Sequence, residues 1–153
     1  MSGSVTLVCS QCSATVRVPA ARMAEAPHCP TCKALLVDGK PLTLTAATFD
    51  RQVGRTSLPV VVDFWAPWCG PCLRMAPFFE QVSQKLSTKL RFAKLDTEAQ
   101  PAVAARFNIR SIPTLIVFRD GREVARLSGA MDASQLTRWL AANSGSDLQV
   151  ANL

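Results

Sequence analysis

The chain carries six cysteines in three C-x-x-C pairs, and the pair in Trp68-Cys69-Gly70-Pro71-Cys72 stands where a thiol becomes reactive. Before it, Val60-Val61-Val62-Asp63-Phe64-Trp65-Ala66-Pro67 reads as a buried strand. After it a helix is expected, with Pro71 in the first turn, where a missing N–H costs little. A thiolate at a helix N-terminus is favoured by unpaired N–H groups and by the positive end of the backbone dipole, so its pKa falls and it becomes nucleophilic near neutral pH. Cys69 is the candidate attacker. Cys72 comes within disulfide range once residues 70 onward turn helical, and it can resolve a mixed disulfide formed at Cys69. A lone C-x-x-C is also half of a zinc site. Here the preceding strand, the internal Pro71 and the lack of a free second pair downstream favour redox chemistry.

The other four cysteines, in Cys9-Ser10-Gln11-Cys12 and, sixteen residues on, Cys29-Pro30-Thr31-Cys32, have zinc-ribbon spacing. Two tight turns would each present two thiolates about 2.3 Å from one metal, and a closed four-sulfur shell means structural rather than catalytic zinc. One Zn2+ ion held by Cys9, Cys12, Cys29 and Cys32 is therefore expected. Ala14-Thr15-Val16-Arg17-Val18 between the pairs alternates like a short strand. So small a lobe buries little core, and the metal would supply most of its folding free energy. The competing reading makes the two pairs redox dithiols or a metal-releasing switch; it is disfavoured because neither pair is read as following a buried strand. His28 is a spare donor, placed outside the shell because four thiolates already fill it.

These groups need a scaffold. Asp38-Gly39-Lys40-Pro41 is turn-rich and divides a zinc-ribbon domain, residues 1–39, from a larger domain, residues 40–145, with residues 146–153 as a flexible tail. In the larger domain the pattern predicts a brief strand at Leu42–Leu44, a helix capped by Thr45 and running to about Val53, the strand Val60–Trp65 and a helix from Cys69 to about Leu86. Strand Arg91–Asp96, helix Pro101–Phe107, a hairpin of Thr114–Phe118 and Glu123–Leu127 turning at Asp120-Gly121, and a helix Asp132–Ala142 with Leu136, Trp139 and Leu140 inward follow. Strands and helices alternating in this order give an α/β fold with a mixed central sheet flanked by helices.

Composition narrows the function. With 48% hydrophobic residues and no apolar run near the ~18 needed to span a bilayer, no membrane association is expected. The N-terminus has no basic, apolar leader pattern, so cytoplasmic residence is expected, where thiols stay reduced. The net charge of +6 invites a nucleic-acid reading, but residues 1–40 hold only Arg17, Arg22, Lys33 and Lys40 against Glu25 and Asp38, and the first aromatic residue is Phe49. The ribbon thus has neither a basic cluster nor a stacking platform, and no nucleic-acid partner is expected.

Trp68 to Cys72 resembles, residue for residue, the active-site run of the thioredoxin family, and the likeness extends over roughly Lys40 to Ser144. The N-terminal four-cysteine ribbon in front of it is similar to the bacterial thioredoxin-2 class. The resemblance implies a thioredoxin-like fold and a cytosolic protein-disulfide reductase. In it Cys69 attacks disulfide-containing protein substrates, Cys72 resolves, and an NADPH-dependent thioredoxin reductase restores the dithiol. No nucleotide motif suggests that the chain binds NADPH itself. Asp63, on a strand read as buried on both faces, is either an ion-pair partner of Lys94 or a proton acceptor and donor for Cys72. The resemblance assigns it the second task, with Lys94 tuning it by charge. It also implies a substrate groove beside Cys69 from Pro67, Trp68, Ile112, Pro113, Thr114, Gly129 and Ala130, with Pro113 in a cis bond; Ser111 stands where well-known members carry Gly. Trp65, inside the apolar run, is read as core. Two other classes stay open: a binding module that holds a partner with the ribbon, and a holdase that exposes apolar surface when oxidation removes its metal.

Overall fold

The structure is a computed structural model and describes residues 3–145; the expected tail at 146–153 lies outside them. Ser4–Val8 (β1) and Thr15–Pro19 (β2) pair antiparallel, followed by a 3₁₀ turn at Ala20–Glu25. Five strands then form one sheet in the order β3-β5-β4-β6-β7: Leu42–Thr43 (β3), Val60–Trp65 (β4), Arg91–Asp96 (β5), Thr114–Arg119 (β6) and Arg122–Ser128 (β7). β3, β5 and β4 run parallel, β6 runs antiparallel to β4, and β7 antiparallel to β6. The helices are Phe49–Gly54 (α1), Gly70–Leu86 (α2), Pro101–Arg106 (α3) and Ala133–Asn143 (α4).

β4 explains the two cores. Its alternate residues Val60, Val62 and Phe64 join Phe49, Val53, Val103, Ile116 and Phe118 on the face covered by α1 and α3. Val61 points the other way, packing with Met75, Phe79 and Val82 of α2 and Leu136 and Leu140 of α4. By the same period Asp63 and Trp65 belong to the α2 face. α4 begins on a capping box between Asp132 and Gln135, and the β6–β7 hairpin turns through Asp120 and Gly121, both at positive φ.

Three expectations need correction. The Thr45 cap is displaced: Thr45 and Thr48 close a turn of their own, with Thr48 Oγ1 accepting the Thr45 N–H at 3.0 Å, so α1 starts at Phe49. The second concerns Cys9, which does follow a strand, because β1 was not legible as one; Leu7 and Val8 are fully buried. What Cys9 lacks is a helix after it. Third, Trp65 is not core: it is half-buried and packs with Ile112 against Ala66, Cys69 and Cys72.

The ribbon docks on the N-terminal ends of β4 and β5. Leu58, just before β4, packs into a cluster with Leu7, Cys9, Val18, Met23, Cys29 and Leu36. Thr6 exchanges hydrogen bonds with Ser57, donating to its Oγ at 2.9 Å and accepting its N–H at 2.9 Å. The Cys69–Cys72 pair follows the opposite end of β4. The six residues of β4, about 20 Å of strand, thus lie between the ribbon and the Cys69–Cys72 pair.

Candidate redox site and metal cluster

Cys69 caps α2. Its backbone is extended at φ −85° and ψ 108°, and its Sγ accepts the Cys72 N–H at 3.2 Å, which is the contact that favours a thiolate at a helix entrance. Gly70 and Pro71 fill the first turn, and Cys69 and Cys72 are joined by a disulfide across a Cα separation of 5.2 Å. Both sulfur-bearing residues are buried, while Trp68 before them is 69% exposed and Leu73 after them 51% exposed. Leu73 was missed in the sequence; its helical register next to Cys72 was the available signal. Phe78, further along the same helix, is also exposed.

Across from Cys69 lies the turn before β6. The Ile112-Pro113 bond is cis, and the Ile112 carbonyl oxygen stands 3.7 Å from Cys69 Sγ. Pro113 accepts the Gly129 N–H at 2.9 Å, and Gly129 holds φ +108°, a backbone that L side chains rarely adopt. Pro67 and Ala130 are exposed beside them. Thr114 is buried, its hydroxyl donating to the Ser111 carbonyl at 2.6 Å and lying 2.8 Å from Ser128 Oγ, so its side chain braces the turn.

Asp63 is fully buried and neither carboxylate oxygen has a hydrogen-bond partner. Burial pushes its pKa up to about 7, against the pull of the Lys94 charge. Lys94 is its register neighbour on β5 but makes no ion pair with it; the ammonium lies over the Trp65 ring, 4.5 Å from the centroid. Trp65, Lys94 and Asp96 also line a surface cleft of 670 Å3. A carboxyl poised near neutrality, on the face covered by the helix that carries Cys72, is suited to moving a proton.

The four N-terminal cysteines form two knuckles with one backbone plan. Cys9 N–H donates to Ala14 O at 2.9 Å and Ser13 N–H to Cys9 O at 3.0 Å. The second knuckle repeats this with Cys29 to Ala34 at 2.7 Å and Lys33 to Cys29 at 2.8 Å. All four sulfurs lie within 4.8 Å of one another, with Cys9–Cys32 and Cys12–Cys29 at 3.6 Å. A tetrahedral Zn2+ with sulfurs at about 2.3 Å has S···S edges near ~3.8 Å, so the cluster fits that ion. The Cys32 and Thr31 N–H groups draw the Cys29 thiol down to about 6. Although the Ala14 N–H favours the Cys12 thiolate, loss of water and the sulfurs of Cys29, Cys32 and Cys9 push that thiol up to about 12. Four thiolates this close need a cation to coexist. His28 instead bridges to Leu35 as a short strand partner.

Each knuckle places a non-glycine residue in the left-handed region, Ser13 at φ 63° and Lys33 at φ 70°. Such a residue costs about 1–2 kcal/mol there, partly offset by the greater chain entropy of glycine. Lys33→Gly is expected to stabilise the ribbon by roughly 0.5 kcal/mol and the β-branched Lys33→Val to destabilise it by at least ~1 kcal/mol. Chelator titration followed by far-ultraviolet circular dichroism measures both.

A mixed five-stranded sheet with a C-x-x-C disulfide at the mouth of the helix after its central strand defines a thiol–disulfide oxidoreductase. Family comparison agrees. Residues 40–142 match the family model described as Thioredoxin, and residues 8–34 the model described as Thioredoxin 2, N-terminal, a zinc ribbon. Thioredoxin C-3 of Corynebacterium nephridii is 45% identical over 134 residues, spanning 88% of this chain and 92% of the relative. Thioredoxin 1 of Synechococcus elongatus is 44% identical over 97 residues, 63% of this chain and 91% of the relative. The thioredoxin of Mycobacterium tuberculosis is 44% identical over 99 residues, 65% of this chain and 85% of the relative. The chain belongs to the thioredoxin family, with a zinc-ribbon segment in front of its thioredoxin domain.

Proposed function

We propose that this protein reduces disulfides of cytoplasmic proteins through a Cys69/Cys72 dithiol–disulfide cycle. The Cys69 thiolate attacks one sulfur of a substrate disulfide; a Cys69–substrate bond forms, the substrate S–S bond breaks, and the leaving thiolate takes up a proton. Cys72 then gives its proton to the Asp63 carboxylate and attacks Cys69 Sγ. The second substrate thiolate departs and the Cys69–Cys72 disulfide remains. Two electrons have moved from the dithiol to the substrate, and an NADPH-dependent thioredoxin reductase would return them. Pro67, Trp68, Ile112, Pro113, Gly129 and Ala130 would form the substrate groove, while Thr114, expected there too, is buried and braces the turn beneath it. An extended segment would lie against the apolar patch, with the Ile112 backbone as its hydrogen-bonding edge.

In the same reading, residues 1–39 are a zinc-ribbon domain and 40–145 the thioredoxin domain, with one structural Zn2+ on Cys9, Cys12, Cys29 and Cys32. The zinc shell is closed and lies at the far end of β4, so it holds structure rather than substrate. No helix among the described residues is long and apolar enough to cross a membrane.

The observation that carries the reading is the Cys69 sulfur capping α2 through the Cys72 N–H. Reduced protein pulsed with iodoacetamide at neutral pH should be alkylated at Cys69 much faster than at Cys72, and the wild type should precipitate insulin in the presence of dithiothreitol. Equal labelling removes the distinction between attacker and resolver and Cys72 labelled first reverses it; absence of insulin reduction removes the enzyme reading itself.

A further inference from the structure

We propose that Arg91, with Gln52, is a positioning residue for the metal cluster, a group of the thioredoxin domain that holds both cysteine knuckles of the ribbon in register. The inference rests on the reading that the four cysteines bind zinc. Arg91 opens β5 and is only 7% exposed, yet no ion pair among the described residues includes it. A buried guanidinium without a carboxylate is costly unless its donors are satisfied. Its Nη1 donates to the Leu36 carbonyl at 2.9 Å and its Nη2 to the Val8 carbonyl at 3.2 Å.

Those two carbonyls belong to different knuckles. Val8 is the residue before Cys9. Leu36 is tied to the second knuckle, because its N–H donates to Pro27 at 2.9 Å and the adjoining pair His28 and Leu35 form a bridge. One planar side chain therefore fixes the spacing of the two halves of the sulfur shell. Gln52 of α1, 5% exposed, donates from Nε2 to the Cys9 carbonyl at 3.0 Å, the same oxygen that closes the first knuckle through Ser13. Its neighbour Arg51 donates from Nε to the Ser13 carbonyl and from Nη2 to Thr15 Oγ1 at 3.3 Å.

The ribbon's own backbone hydrogen bonds shape each knuckle singly, and the knuckles meet through the sulfur cluster and the apolar cluster of Leu7, Cys9, Cys29 and Leu36; Arg91 and Gln52 add the hydrogen-bonded tie from the domain beneath. Groups that orient metal ligands from outside the shell change metal affinity by about 10–100-fold when removed. Lysine at position 91 can reach one carbonyl but not span two, since its ammonium is a point donor on a flexible stem.

The test is competition for zinc between a chromophoric chelator and full-length wild type, Arg91→Met, Arg91→Lys and Gln52→Leu. Hydrogen exchange of β1 and β2 is read against that of β4 and β6. Arg91→Met should weaken zinc binding about 10–100-fold, Gln52→Leu by a smaller factor, and Arg91→Lys should fall between Arg91→Met and wild type. Exchange should quicken in β1 and β2 while β4 and β6 keep their protection. Zinc affinity within twofold of wild type in both Arg91→Met and Gln52→Leu overturns the proposal. So does loss of zinc in Arg91→Met that accompanies loss of protection in β4 and β6 while Gln52→Leu binds like wild type, because Arg91 is then only a folding residue. A wild-type protein that takes up no zinc removes the metal reading instead, and the proposal with it.

Discussion

Replacing Cys69 by serine is expected to bring disulfide reduction down to the uncatalysed rate, and replacing Cys72 by serine to halt the protein after one attack. The two failures differ because the two sulfurs meet different surroundings. Cys69 sits at the end of the unpaired N–H groups of α2, and a serine hydroxyl there has neither the thiolate fraction nor the ability to form an S–S bond. Cys72 is one turn further into α2 and hardly less exposed than Cys69, 2% against 4%, so the capping position rather than exposure makes Cys69 the attacker and leaves Cys72 to reach the Cys69 sulfur. Cys72→Ser should therefore accumulate as a mixed disulfide with substrate, visible by non-reducing electrophoresis and released by dithiothreitol. Turnover retained in Cys69→Ser, or no trapped complex in Cys72→Ser, contradicts the assignment.

Asp63→Asn is expected to make the protein more stable and slower at once. The carboxyl is fully buried without a hydrogen-bond partner, and its folded-state pKa of about 7 exceeds its ordinary value of 3.8. With the folded pKa raised, the native state binds the proton more tightly than the unfolded chain. Stability contributed by the neutral form is thus whole below pH 4, falls as pH rises towards 7, and stays reduced above it. At about 1.4 kcal/mol per unit, the gain from removing the charge approaches ~4 kcal/mol at pH 8 and vanishes at pH 4. Urea unfolding of both proteins at the two pH values measures it. If Asp63 takes the Cys72 proton, resolution of the mixed disulfide should slow by roughly 10²-fold in the variant, and the inflection near pH 7 should disappear from its rate profile. Stabilisation without a kinetic change leaves Asp63 as a buried polar residue only.

Much of this protein was legible in its sequence because its chemistry is local. A C-x-x-C after an apolar run, and two more at ribbon spacing, specify their own turns, so the redox pair, the sulfur cluster and the strand–helix order at Val60–Leu86 needed no knowledge of distant contacts. The hairpin at Asp120-Gly121 was equally local, since both residues tolerate positive φ. Tertiary structure decided everything that depends on which face meets which. β1, no shorter than β2, was not read because Ser4–Val8 ends in the adjacent apolar pair Leu7-Val8, which alternation does not mark, and it gains its burial from β2 and Leu58. Trp65 was read as core from its place in an apolar run, but the period of two turns it towards the disulfide and Lys94. Lys94 itself was offered to Asp63 by register, and a nearby aromatic ring took its charge instead. Arg91 drew no notice at the head of an apolar strand; its partners are backbone carbonyls more than fifty residues away, and a carbonyl leaves no mark in a sequence. Side-chain chemistry at fixed spacing was written in the residues, whereas burial, orientation and the hold of one domain on the other came only from the packed chain.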